Sequence, residues 1–227
     1  LFHMITSGAT KVTLRDFTVD YNSSTNSGGG NAIDMTTSDN LYTNLWIKNV
    51  STNAMMLGSR ARVVNNNYEN ASNISAWGGA SPTGVVISGN TFSATNVTVE
   101  GTNHTITGNS FYNASLNINS NDTTASGNSF NTTTNNPAIF SQNGQTGVVM
   151  TGNTITGATG SFAARIDASN SIFSNNDLHS NNVTVGALGV LNSSTNVQVS
   201  NNRLYDNGGT SSASSIYLGY SSCPIGT

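Results

Sequence analysis

A four-residue phrase recurs through the middle of this chain. GNTF at 89–92 returns as GNSF at 108–111 and at 127–130, and as GNTI at 152–155. With Asn in place of Gly, and with an apolar residue three positions before and two positions after the second Asn, related segments centre on Asn66, Asn176 and Asn202. VTLRDFTVD at 12–20 is a degenerate copy, and another lies near 44–47 with its register uncertain by one residue. Self-similarity at intervals of about 20 residues is typical of a repeat architecture.

Each copy of the repeat has the character of a short strand. Apolar and polar residues alternate, as in Val97-Thr98-Val99 and Val197-Gln198-Val199, and a period of two predicts a strand. The same column of the repeat carries the same residue types each time, which an ordinary sandwich does not require. A chain that coils so that each copy stacks on the last, with strands about 4.8 Å apart, explains the pattern.

The Asn of each phrase is expected to point into the coil. The residue before it is Gly or Asn, the types that best tolerate a positive φ, so the phrase predicts a tight corner. An amide both donates and accepts, and stacked Asn side chains could therefore bond to one another and to the bent backbone. We expect an inward ladder of Asn66, Asn90, Asn109, Asn128, Asn153, Asn176 and Asn202.

Two segments carry a family resemblance. VTLRDFTVDYN at 12–22 and VQVSNNRLYDN at 197–207 resemble rungs of the right-handed parallel β-helix of the pectate lyase-like superfamily, and the likeness covers almost the whole chain. It implies an all-β, right-handed parallel β-helix, and the copies of the repeat predict about nine to ten coils. We expect a single domain over residues 1–227 that is a piece of a longer chain. The superfamily implies secreted polysaccharide lyases and hydrolases, sugar epimerases, and trimeric phage tailspikes. The paired aspartates in a short motif that mark the epimerases and pectin-cleaving hydrolases are not found in this sequence.

The composition of the chain argues against several classes of partner. Only 7% of the residues are charged and the net charge is −3, with no basic run, so we expect no nucleic-acid binding. No apolar stretch approaches the roughly 20 residues that cross a bilayer, so we expect no membrane insertion. Cys223 is the single cysteine, and the three histidines are dispersed. We therefore expect no intrachain disulfide, no metal site and no cofactor.

The charges that exist crowd into the first third of the chain. Aligned on the corner, Asp20 and Glu69 share one outward column, and Lys48 falls in or beside it on the rung between. Two rungs place the carboxylates roughly 9–10 Å apart, near the upper end of the roughly 6.5–9.5 Å spacing of inverting glycoside hydrolases. We take Asp20 and Glu69 as candidate catalytic residues. The alternative is an exposed ladder in which Lys48 neutralises both acids.

Three further residues are candidates for contact with a glycan. They are Lys48, Arg60 and Trp77. Arg60 belongs to a second charged column with Lys11 and Asp39. Trp77 lies in a long Gly/Ser/Asn-rich loop and could stack on a sugar ring. We interpret Trp46, by contrast, as a packing residue.

Three functions remain open on this evidence. The first is a phage tailspike or receptor-binding β-helix, a homotrimer on the virion surface that recognises a cell-surface polysaccharide. The second is a secreted, monomeric polysaccharide lyase or inverting glycoside hydrolase. The third is a non-catalytic adhesin or structural β-helix of the cell surface. The sequence leaves open whether the protein cleaves a glycan at all.

Overall fold

The computed structural model describes residues 5–6, 8–21, 30–76, 81–191, 194–209 and 214–219. Over these residues the regular structure is β-strand, and every strand pairing is parallel. No helix in the described part of the chain is long and apolar enough to cross a membrane. The protein is thus an all-β parallel solenoid, which confirms the fold class predicted from the repeat.

The coil has three faces, each built from one strand per turn. Face one consists of β2 (Thr13–Arg15), β5 (Leu41–Thr43), β8 (Arg62–Val64), β10 (Val86–Ser88), β12 (Thr105–Thr107), β15 (Thr124–Ser126), β18 (Val149–Thr151), β21 (Ile172–Ser174) and β24 (Gln198–Ser200). Face two consists of β3 (Thr18–Asp20), β6 (Trp46–Lys48), the first parts of β9 (Asn67–Ala76) and β11 (Thr91–Thr102), β13 (Ser110–Tyr112), β16 (Ser129–Asn131), β19 (Thr154–Thr156), β22 (Asp177–His179) and β25 (Arg203–Tyr205).

Face three consists of β1 (Ile5–Thr6), β4 (Ile33–Met35), β7 (Asn53–Leu57), the later parts of β9 and β11, β14 (Leu116–Asn121), β17 (Ile139–Ser141), β20 (Phe162–Ile166), β23 (Gly186–Leu191) and β26 (Ser214–Gly219). The long strands β9 and β11 bend from face two into face three. Ala94 has a φ of 48° at the bend of β11, where the register with β9 shifts.

Residues with positive φ form the corners of the coil. Between faces one and two the corner residue is Asp or Asn in the first three rungs and Gly in the next four, for example Asn65 at 56° and Gly108 at 63°. The predicted Gly/Asn corner is therefore confirmed. The structure also resolves the uncertain second copy, because Asn44 has a φ of 53° and must be the corner residue. Leu45 then takes the ladder position of that rung, and its N–H donates to Asn66 Oδ1.

The seven predicted Asn residues form one continuous ladder. From Asn90 onward, each Oδ1 accepts both the backbone N–H and the Nδ2 of the preceding ladder Asn, at 2.9–3.0 Å. Each Nδ2 also donates to a backbone carbonyl of the preceding coil. Six of the seven are buried, and Asn202 at the end is half-buried. Every polar atom of a buried amide thus has a partner, which removes the cost of burying it.

The apolar columns on either side of the ladder form the core. On face two, Tyr68, Phe92, Phe111 and Phe130 stack with ring centroids 5.2, 4.9 and 4.5 Å apart, and all four are fully buried. Ile155, Leu178 and Leu204 continue the column. His104 occupies the column of Val85 and Val148 and is buried. Its Nδ1 accepts the N–H of Val85, so Nε2 carries the proton and donates to the Glu100 carbonyl.

Candidate functional site

The outward surface of face two carries three large exposed aromatic side chains. Trp46 is 41% exposed, Tyr112 49% and Tyr205 40%, and the other large exposed hydrophobic residues described are on β26. These aromatics lie on the second, fifth and ninth rungs of face two. At about 4.8 Å per rung they are spaced about 14 and 19 Å apart along the axis. All three rings are therefore exposed on one face, with Tyr112 and Tyr205 in the column of Lys48 and Trp46 in the neighbouring outward column.

Small polar side chains fill the same surface between the aromatics. Outward positions alternate with core positions along each strand, so every face-two rung presents two side chains to solvent. From β11 to β19 these are, besides Tyr112, Thr91, Ser93, Ser110, Ser129, Asn131, Thr154 and Thr156. The middle of face two thus offers hydroxyls and an amide, with no charge.

The N-terminal end of face two contains the predicted charged column. Asp20 is in register with Lys48, and Lys48 with Glu69, so the three residues lie on successive rungs. Lys48 Nζ is 3.2 Å from Asp20 Oδ2, and Asn49 Nδ2 donates to Asp20 Oδ1 at 2.9 Å. The two carboxyl groups are two rungs apart, about 9–10 Å. The structure therefore brings Asp20, Lys48 and Glu69 together, while their roles remain predictions.

The structure corrects the interpretation of Trp46. Trp46 and Lys48 are two residues apart on β6, so both side chains point outward while Ile47 enters the core. Lys48 Nζ lies 4.7 Å from the centroid of the indole, a cation–π contact. Trp46 is thus an exposed neighbour of the charged column and not a packing residue.

A second polar cluster lies at the C-terminal end of face two, and sequence reasoning missed it. Asp177 Oδ1 is 3.2 Å from His179 Nδ1, and Asp177 Oδ2 is 3.5 Å from Arg203 Nη1. The His179 and Tyr205 rings stack in parallel, with centroids 5.0 Å apart. The sequence contained a signal for this cluster. Leu178 and Leu204 point inward at the centres of DLH and RLY, so the residues on either side of each leucine must point outward together.

The other two candidate residues lie elsewhere. Arg60 is at the corner between faces three and one, where its Nε and Nη2 donate to both carboxylate oxygens of Asp39 at 2.6 and 2.8 Å. The hydrogen bonds from Arg60 lower the pKa of Asp39, and the same pairing raises the pKa of Arg60. Arg60 is not part of the column of Asp20, so its role in binding stays a prediction. Trp77 lies outside the described residues.

No protein-family model matches this sequence, and no curated protein matches it. The parallel β-solenoid itself is consistent with the β-helix superfamily that the sequence resembles. Within the described residues, no group of three or more His, Cys, Asp or Glu side chains could hold a metal ion.

Proposed function

We propose that the protein is a polysaccharide-recognising β-solenoid that binds an extended glycan along face two. The observation that carries this proposal is that three exposed aromatics, Trp46, Tyr112 and Tyr205, lie on a single face. An aromatic ring stacks on the apolar C–H face of a sugar. Hydroxyl and amide groups, which both donate and accept, suit the hydroxyls of the sugar between the platforms. The strands hold all of these groups in place before the ligand arrives, which lowers the cost of binding.

The charge pattern favours a glycan that is largely neutral. The middle rungs of face two present no charged side chain, while Lys48 pairs with Asp20 at one end and Arg203 with Asp177 at the other. A rigid wall that recognises a long neutral polysaccharide suits the tailspike or receptor-binding protein of a phage. The proposal therefore places the protein at the virion surface or in another extracellular setting.

Glycan cleavage is the second candidate function. Asp20 and Glu69 flank Lys48 on one outward column beside Trp46, and their spacing of two rungs is near that of an inverting hydrolase. One carboxyl group would protonate the leaving oxygen and the other would activate water. Lys48 Nζ lies 3.2 Å from Asp20 Oδ2, so the two carboxylates differ in their surroundings.

Binding is tested with a panel of cell-surface polysaccharides, and affinity is measured by calorimetry on the full chain. Tyr112→Ala should weaken binding by about 1–2 kcal/mol, or roughly 5- to 30-fold. Phe140→Ala is the matched control, because Phe140 is half-buried and points outward on face three. Equal losses in the two variants, or no binding to any polysaccharide by the wild type, would contradict the proposal.

Cleavage is tested by the release of reducing ends or unsaturated products from the polysaccharide that binds. Asp20→Asn and Glu69→Gln should each abolish release and leave affinity nearly unchanged. A wild-type protein that binds without releasing product eliminates the enzymatic candidate and leaves recognition alone.

The oligomeric state separates the tailspike from the monomeric enzyme. An outward apolar column would favour a trimer. On face one the outward residues Val149 and Ile172 have polar neighbours in their column, Thr124 and Gln198, so the apolar stretch there is two residues long. Light scattering on the full chain gives the solution mass directly. A trimer supports the tailspike form of the proposal, and a monomer supports a secreted protein.

A further inference from the structure

A separate polar cleft lies at the edge of face three, away from face two. It has a volume of about 330 Å³ and is lined by Ser81, Glu100, Gly101, Asn119, Asn121 and Gln145, among others. We call it the Glu100 cleft. Its floor is made by β11 and β14, which pair in register from Val97 to Thr102. Ligand sites usually occupy 300–1,000 Å³, so this cleft has room for one small ligand.

The wall of the cleft is held rigidly against the floor. Gly101 has a φ of 96°, and a Cβ on it would lie 1.9 Å from the Pro82 carbonyl oxygen. The Thr102 N–H donates to the same oxygen at 3.2 Å. Only glycine allows this approach, so the segment at 81–82 lies directly against β11 and forms one side of the cleft.

The floor is ordered by a chain of side-chain hydrogen bonds. Gln145 Nε2 donates to Asn119 Oδ1 at 3.0 Å, and Asn119 Nδ2 donates to Glu100 Oε1 at 3.3 Å. Asn121 Oδ1 accepts the N–H of Thr146 at 2.9 Å. The described residues provide no partner for Glu100 Oε2 or for Asn121 Nδ2. A strong acceptor and a donor on adjacent strands are therefore oriented and available to a ligand.

These groups define the chemistry of the ligand. A hydroxyl can donate to the Glu100 carboxylate and accept from an amide of the neighbouring strand, and two adjacent hydroxyls could use both. No cation is among the lining residues, and Asp122 follows Asn121 in the chain. An acidic sugar would be repelled there. We propose that the Glu100 cleft is a second glycan site, distinct from face two, that takes one neutral pyranose unit.

The proposal is tested by titrating the ¹⁵N-labelled full chain with glucose, galactose, mannose and N-acetylglucosamine, and with glucuronate as the acidic comparison. We expect the amide resonances of Gly101, Thr102 and Asn121 to shift saturably with at least one neutral sugar. Glu100→Gln should weaken that binding about tenfold or more, because it removes a charge-assisted hydrogen bond. Asp206→Asn is the control, since it removes an exposed carboxylate far along the coil and should leave the titration unchanged.

Three results would overturn the proposal: no shift with any of the four neutral sugars, equal affinity in Glu100→Gln and wild type, or glucuronate binding as tightly as the neutral sugars. The titration reads resonances of the cleft alone. The face-two proposal is tested by Tyr112→Ala on a polysaccharide, so either proposal can fail while the other stands.

Discussion

Replacing Asn109 by Leu tests whether the inward amides hold the coil together. Asn109 lies in the middle of the ladder and is 1% exposed. Its Oδ1 accepts the backbone N–H of Asn90 at 2.9 Å and Asn90 Nδ2 at 3.0 Å. Its Nδ2 donates to the Ile87 carbonyl and to Asn128 Oδ1. Leucine has a similar shape, so the change removes these bonds with little change in volume.

The cost follows from which groups lose their last partner. Asn90 Nδ2 still donates to the carbonyls of Val63 and Ser88, and Asn128 Oδ1 still accepts the backbone N–H of residue 109. The Asn90 backbone N–H, however, has no other acceptor, and it lies beyond the reach of water. One orphaned buried donor costs about 1–3 kcal/mol. We therefore expect Asn109→Leu to lower the free energy of unfolding by about 2 kcal/mol.

Urea denaturation followed by far-ultraviolet circular dichroism measures this loss. Asn117→Leu is the control, because Asn117 is half-buried at an outward position of β14 and its Oδ1 accepts a side-chain donor, Gln142 Nε2. Gln142 is itself half-buried and its amide can turn to water, so we expect the cost to be below about 1 kcal/mol. Equal costs for the two variants, or an unchanged midpoint for Asn109→Leu, would refute the argument that buried amide pairing stabilises the coil.

Two further predictions concern the core. Phe111 lies between the rings of Phe92 and Phe130 and is fully buried, so Phe111→Ala should lower the free energy of unfolding by about 4 kcal/mol in the same assay. Tyr112→Ala, at the exposed next residue, should lower it by less than about 0.5 kcal/mol. Similar losses in the two variants would show that the Phe111 ring is not in the core. Burial lowers the pKa of His104, so the unfolded chain binds the proton more readily and stability should fall as pH drops through about 6.5 towards the lower folded pKa. His104→Asn keeps a hydrogen-bond acceptor, as Asn40 does in the same column. Thermal melts at about pH 7.5 and 5 should show that acidification destabilises this variant less than it destabilises the wild type. An equal loss of stability in both proteins would mean that His104 does not carry the effect.

The sequence by itself determined the inward half of this protein. Every coil places its ladder Asn and its flanking apolar residues in the same surroundings, so the same residue types recur at the same column. An amide cannot be buried without partners, and a stacked amide has them, which is why Asn66 to Asn202 could be aligned without coordinates. The shared column of Asp20 and Glu69 followed from that alignment, because one register fixes every side chain of a rung, and the structure places Lys48 in the same column.

Only the tertiary structure decided which outward residues meet. A shift of one residue turns every side chain of a strand to the opposite side, and the uncertain register at 44–47 left Trp46 in the core when it lies outside. The repeats are 19 to 28 residues apart, so their loops differ in length. The loop residues at 81–82 pack against Gly101 and form one side of the Glu100 cleft. Outward positions have no common surroundings to impose a common residue type. Their neighbours come from other coils and from loops of unequal length, so the surfaces that could bind a glycan leave no periodic mark in the sequence.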